Sequence, residues 1–457
     1  MQLRKEGEQA LEIFIPKEVT GLLEALENKG YEAWVVGGCV RDSLLGREPQ
    51  DWDVTTSALP REVCRALSGY TVLQTGLKHG TVTAITPIGP VEVTTYRVDG
   101  VYTDGRHPDA VRFTASLRED LSRRDFTINA MAYHPQRGLF DAFGGQEDLR
   151  QKRVRCVGEP AKRFGEDALR LLRALRFASV LGFSLEENTA RAVRENRALL
   201  QKIAMERVSH EFVRLLCGRD ADRVLRAYIE VIGQFLPELL PLVGCEQHNP
   251  HHVFDVFEHT LHSLPYVKRQ PVMRLTMLLH DVAKPNCFSL DDRGVGHFYG
   301  HAVQGAEMAR EILTRLRLDK ATIERVFTLI RLHDVQIEPT EKSVKHWLNK
   351  LGEETFRQLL RVKAADNLAQ RPDLSCRVEQ LRQLEDKIDE ILRERQCFSL
   401  KDLAVNGHDL IALGMPPGKG LGEALGRLLE EVMDGACPNE KEALLERAKA
   451  LLAQGQS

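Results

Sequence analysis

Two aspartates one residue apart, Asp51 and Asp53 in PQDWDVTT, stand at the head of a β-branched run. Side chains alternate faces along a strand, so both carboxylates would point the same way, with Trp52 opposite. Two such groups crowd one spot, and the arrangement makes best sense with divalent cations between them; ligation by oxygen alone suits magnesium. Upstream, WVVGGCVRDSLLG has the make-up of strand, glycine turn and helix. Gly37 and Gly38 would let backbone N–H groups approach an anion at the helix start, and Arg41 adds a fixed positive charge. Metal on one side and phosphate on the other describe phosphoryl or nucleotidyl transfer. Asp-x-Asp alone is equally the composition of a solvated turn, and the glycine pair is what favours the chemical reading. A third carboxylate, Glu92 in GPVEVTTYR, falls mid-strand between Val91 and Val93, facing either the metals or solvent.

A second set lies in RFGEDALRLLRALRFASVLGF, with arginines at 170, 173 and 176 and Asp167 three residues before the first. On one helix these make a slanting polar band beside Leu169, Leu172 and Leu175. Such a band is commonly a row of surface ion pairs. An Asp and an Arg at i and i+3 can also offer an acceptor and donors to the edge of one base, replacing a pairing partner, while the outer arginines hold a triphosphate. From Arg150 to Arg176 there are nine Lys or Arg against three Asp or Glu, a local basic patch in a chain of net charge -3. A third set, His259, His280, Asp281, His301, His333 and Asp366, is spread over separate helical stretches. Imidazoles and carboxylates in that number suit a buried site for one or two divalent metal ions of unspecified identity, against the plainer reading as capping and core histidines.

The elements that must position these groups follow from periodicity. From about residue 18 to 145 helix-like and strand-like patterns alternate, predicting an α/β head with strands at AWVVGG, DWDVTT, GTVTAI and PVEVTTYR. Beyond it the three- and four-residue apolar spacing predicts a mainly α-helical remainder. A His- and Pro-containing linker near 245–255 and a boundary at QCFSLKDLAVNGHD divide the chain into 1–148, 149–245, 246–372 and 373–457. The 457 residues exceed one ordinary core. No apolar run is long enough to span a membrane, the N-terminus does not read as a secretory signal, and the nine cysteines include no Cys-x-x-Cys pair. A cytoplasmic protein without a disulfide framework is expected.

The stretches VVGGCVRDSLLG, DWDVTT, EDLSRRDFTINAMAY, DAFGGQEDL and RFGEDALRLLRALRFASVLGF, over most of residues 33–184, together resemble class II tRNA nucleotidyltransferases. The likeness is to the bacterial CCA-adding kind carrying an HD domain, in a superfamily shared with poly(A) polymerases. It implies a polymerase-β-like head on helical neck, body and tail, and template-free addition of CCA to tRNA from CTP and ATP with Mg2+. Adding only the terminal A, or a poly(A) tail, stays open, as does a different class, a metal phosphohydrolase acting on nucleotides or RNA ends.

Carried over, the metal carboxylates fall on Asp51 and Asp53, and the phosphate-side groups on Gly38 and Arg41. Arg124 matches a nucleotide contact, with Asp125 and Asn129 shaping the sugar pocket. Asp167 and Arg170 match the base-reading pair, and Arg173 and Arg176 the remaining nucleotide contacts. Residues 95–113 resemble a flexible loop that helps the pocket switch from CTP to ATP. The histidine set resembles the HD phosphohydrolase superfamily, with Ala283 where its pattern has glycine, implying hydrolysis of phosphomonoesters or 2′,3′-cyclic phosphates. The C-terminal region resembles a tRNA-gripping tail in which Lys401, Lys419 and Arg427 touch phosphates or are simply solvated. Oligomeric state is not legible.

Overall fold

The Val- and Thr-rich runs of the head pair into nine strands: β1 (Ala33–Val36), β2 (Asp53–Thr56), β3 (Thr71–Leu73), β4 (Thr81–Thr86), β5 (Gly89–Thr95), β6 (Arg97–Asp99), β7 (Val111–Phe113), β8 (Met131–His134) and β9 (Gly138–Asp141). The structure, a computed structural model, describes residues 12–100, 111–248, 253–370 and 375–454. Residues 101–110 of the expected flexible loop and 249–252 of the expected linker lie outside them. Seven strands form one mixed sheet in the order β3-β4-β5-β2-β1-β8-β9, and β6 pairs with β7 as a separate ribbon.

The pairing of β2 with β5 is parallel, which sets Asp53 directly opposite Glu92 and Val54 opposite Val93. Because strand side chains alternate, Asp53 and Glu92 share one face while Val54 and Val93 enter the core of the other. β2 starts at Asp53, two residues later than the run DWDVTT suggests, and Asp51 occupies a bend. The reason is local. On one side β1 has given way to a glycine turn and helix, and on the other the residue opposite Asp51 would be Pro90, which has no N–H to give.

Core packing in the head centres on Trp34, Val36, Tyr96, Leu117, Leu121, Ala130, Ala132 and Val157. After the sheet, helices at Pro160–Glu166, Leu169–Leu181, Glu187–Glu195 and Met205–Leu216 continue the same compact unit, Met1–Pro237. The run read as one helix from Arg163 is therefore two, separated at Asp167, whose backbone is extended (φ -142, ψ 105). Its carboxylate accepts the N–H of Leu169 at 3.1 Å, the side-chain capping by which Asp competes with helix continuation.

The second unit, Glu238–Ser457, is mainly helical. Helices Val256–Ser263, Pro271–Leu279, His301–Arg315 and Lys320–Leu332 precede the long stretch Glu341–Gln370, which breaks at Gly352 (φ 71). A separate cluster of Leu410, Leu428, Leu429, Leu444 and Ala448 packs the last three helices. The expected segments 1–148 and 149–245 fall almost entirely in the first unit, and 246–372 and 373–457 in the second. Among the described residues no helix is long and apolar enough to cross a membrane.

Candidate active site

β1 runs into Gly37, whose φ of 87 is open to glycine and strained for other residues. A Cβ here would stand 2.9 Å from Nη1 of Arg124, so the missing side chain is also what admits that guanidinium. The helix Gly38–Leu44 follows and carries Arg41. Arg41 donates to Asn129 Oδ1 at 2.6 Å and through two nitrogens to Asp42 at 2.9 and 2.8 Å. A cavity of about 500 Å³ opens beside these residues, and its wall includes Gly37, Gly38, Arg41, Asp51, Asp53, Arg124, Asp125 and Asn129. The glycine turn and the paired aspartates therefore meet in one place.

Glu92 is not part of that wall. It lines a smaller cavity of about 230 Å³ that shares Asp53 and Arg124 with the larger one. Across the ladder it still acts on Asp53, whose pKa is pushed up to about 6, first by burial and then by Glu92 and Asp51, with Arg124 opposing. Three carboxylates this close without a cation hold a proton at mildly acidic pH; a hard divalent ion ligated by oxygen would displace it.

The opposite wall is basic. Arg173 and Arg176 come from the helix Leu169–Leu181, and Arg173 donates to Asp125 Oδ2 at 2.8 and 2.5 Å. Asp125 also accepts from Asn129 Nδ2 at 3.1 Å. Burial alone would raise the Asp125 pKa, but the Arg173 guanidinium and these bonds hold it well below the usual carboxylate range. Arg176 lies 2.7 Å from Glu211 Oε2.

Neither Asp167 nor Arg170 is among the residues lining the cavity. Asp167 lies off the helix and is engaged by Arg207 at 3.1 and 3.3 Å; Arg170 is turned to Glu166 at 2.8 Å and to the Arg123 carbonyl at 3.2 Å. Asp167 and Arg170 stay three residues apart across the helix start, the Arg170 N–H donating to the Asp167 carbonyl at 3.0 Å, and their side chains are taken up by these other partners.

Asp42, Arg207 and Glu211 were not picked out from sequence. Glu211 left one signal: it sits on the apolar face of Met205–Leu216 with Val208, Phe212 and Leu215, where a carboxylate stays charged only with a partner.

The second unit gathers the histidine set completely. His259 Nε2 lies 2.9 Å from Asp366 Oδ1 and 3.5 Å from Asp281 Oδ2; His280 Nε2 lies 3.3 Å from Asp281 Oδ2. His301 and His333 face the other oxygen, Asp281 Oδ1, at 3.5 and 3.8 Å. The result is two potential metal-ligating groups, His259-His280-Asp281 and Asp281-His301-His333, sharing one carboxylate.

The Nδ1–H groups of His280, His301 and His333 donate to the carbonyls of Met277, Phe298 and Ile330 at 2.8, 2.8 and 2.6 Å. Those bonds fix the tautomer and leave each Nε2 lone pair aimed inward, as metal-binding imidazoles require. Nε2 atoms then face one another at 3.4 Å (His280 and His259) and 3.3 Å (His301 and His333), contacts that need a proton or a cation between them. Burial disfavours charge on His280, but Asp281 and Asp366 outweigh it and raise its pKa to about 10; burial and the neighbouring His280 lower that of His333 to about 3. Lys284, overlooked as a site residue, is buried with Nζ 2.7 Å from Asp281 Oδ2. Ala283 fits without strain, its methyl facing Gly305.

A mixed sheet with adjacent carboxylates, a glycine turn and a basic helical wall defines a nucleotidyltransferase head, and the family described as Poly A polymerase head domain matches residues 33–155. The tRNA nucleotidyltransferase domain 2 family matches residues 300–448, and a family describing an RNA and SrmB-binding site of polymerase A matches residues 182–241. The chain belongs to the CCA-adding enzyme family. It is 32% identical to the CCA-adding enzyme of Limosilactobacillus fermentum over 94% of this chain and 96% of that protein. To the CCA-adding enzyme of a Geobacillus strain it is 34% identical, over 94% and 96%. The crystal structure of the Bacillus stearothermophilus CCA-adding enzyme in complex with CTP matches with a TM-score of 0.71 at 31% identity, covering 96% of this chain and 98% of that one.

Proposed function

We propose that this chain adds C, C and A in turn to the 3′ end of tRNA, taking CTP and ATP without a nucleic-acid template and releasing pyrophosphate. The observation that carries this reading is the meeting of Asp51 and Asp53 with the Gly37–Gly38 turn and an arginine-rich wall in one cavity, in a chain of this family. Asp51, Asp53 and Glu92 fit a pair of Mg2+ ions by donor type and by the proton that burial and crowding hold on Asp53. Bound there, magnesium would make the tRNA 3′-hydroxyl a better nucleophile and neutralise charge on the leaving pyrophosphate.

The protein's own groups do the rest. The Gly37–Gly38 turn and Arg41 hold phosphate oxygens, and Arg124, Arg173 and Arg176 supply fixed positive charge where negative charge builds during transfer. Asp125, locked by Arg173 and Asn129, offers a carboxylate that stays ionised for a ribose hydroxyl. For Asp167 and Arg170 to read a base, they must leave Arg207 and Glu166, so nucleotide selection includes an exchange of ion-pair partners. A wrong base would leave those donors and acceptors unpaired, the costly outcome that gives selectivity without a template. A tRNA substrate supports a cytoplasmic location.

The decisive assay supplies Mg2+ and labelled CTP and ATP, separately and together, to tRNAs ending before CCA, after C and after CC. Two C and one A followed by a stop are expected. Addition of A alone to the CC-ending tRNA would make this an A-adding enzyme, and an extended A tail a poly(A) polymerase.

A second activity rests on the histidine cluster. Its inward lone pairs around Asp281 support a divalent-metal phosphohydrolase acting on phosphomonoesters or 2′,3′-cyclic phosphates. Metal-dependent release of phosphate from monoesters, or opening of 2′,3′-cyclic phosphates to monoesters, lost in Asp281→Asn, tests it.

A further inference from the structure

Three of the arginines around the nucleotide cavity converge on one ring. The guanidinium carbon of Arg176 lies 4.2 Å from the centroid of Phe177, that of Arg41 5.0 Å and that of Arg173 5.6 Å. Each is within the distance at which a cation is attracted by an aromatic quadrupole. Phe177 also lines the cavity, is 6% exposed, and packs edge-on against Phe126, with centroids 5.7 Å apart and planes at 80°. Arg41 belongs to the Gly38–Leu44 helix and the other two arginines to Leu169–Leu181, so this ring is where the two arginine-bearing elements meet.

Three like charges in so small a space repel one another, and each sits on a flexible side chain that loses rotamer freedom when it is held still. Carboxylates at their outer edges, Asp42, Asp125 and Glu211, restrain them in part. A further carboxylate among the three would cancel the field on which a triphosphate depends. An aromatic ring attracts cations while carrying no net charge, so it can hold the guanidiniums and leave the positive potential of the cavity intact.

We propose that Phe177 is a positioning residue for nucleotide binding, whose ring pre-organises Arg41, Arg173 and Arg176 to receive the triphosphate. The order it imposes exists before the nucleotide arrives, so its loss is felt in binding.

The test is steady-state CCA addition by the full chain with phenylalanine at 177 replaced by its mono-, di- and trifluorinated forms. Fluorination drains the face of the ring with little change in volume. A stepwise rise of KM for both CTP and ATP is expected, reaching about tenfold, with kcat within about threefold and KM for tRNA unmoved. Phe177→Leu should reproduce the trifluorinated value, and Phe177→Tyr should restore most of the loss. A flat KM across the fluorinated series would overturn the proposal and reduce Phe177 to a packing residue. That series answers the question even where Leu disturbs the contact with Phe126.

Discussion

Replacing Asp53 by Asn removes one charge from the carboxylate group while keeping its shape, and Asp51→Ala removes another from the bend beside it. Nucleotide addition should fall on the order of 10³-fold or more in either variant, with tRNA affinity by gel shift nearly unchanged. Addition at the wild-type rate would refute the metal assignment. Asp125 makes a pH prediction. Its folded pKa is depressed by Arg173, so its stabilising contribution is fully present above the unfolded value of about 3.9 and is lost as pH falls through the lower folded value. Asp125→Asn should therefore cost about 1–3 kcal/mol at neutral pH, and the gap in Tm to wild type should close only below about pH 4. A gap that closes near pH 6 would assign the effect to another group. At this scale Asp51, Asp53, Gly37, Gly38 and Arg41 were legible because adjacent residues supply type and spacing together. Arg207, Glu211 and Phe177 were not, because what they do depends on partners as many as 136 positions away, as Phe177 is from Arg41.

Among elements, the turn from β1 into the Gly38–Leu44 helix concentrates the most constraint, since one glycine satisfies both a positive φ and the approach of Arg124. Gly37→Ala should destabilise by about 1–3 kcal/mol in chemical denaturation and raise KM for both nucleotides as Arg124 is displaced. A KM unchanged alongside the stability loss would free Arg124 of its role. The strands and helices themselves follow the apolar periods closely. One exception is Asp167, where helical spacing on both sides hid a break, because an Asp caps a new helix more readily than it sits within one. What the spacing did not show is that Arg207 and Glu166 engage the two side chains of the expected base-reading pair.

The nucleotide cavity is built within Met1–Pro237 and the histidine cluster within Glu238–Ser457. The two proposed activities lie in separate units and should be separable: Asp281→Asn should abolish bound divalent metal attributable to the histidine site, read by elemental analysis of the dialysed protein, and leave CCA addition near wild type. Failure of addition in a folded Asp281→Asn protein would make the two sites interdependent. Across the whole molecule the same logic reaches the parallel ladder of β2 and β5. The carboxylates proposed to hold the metals are brought together by one register, Asp53 opposite Glu92, while everything from Ser57 to Ile88 is an excursion that returns to it. Chain length at the β4–β5 turn of that excursion costs little. Two glycines inserted after Ile88, at the exposed turn between β4 and β5, should leave addition within about threefold of wild type. Deleting one residue from β5 ahead of Glu92 should silence it, because a shift of one turns the carboxylate toward the core in place of a valine. The turn therefore tolerates a change of length that the strand does not.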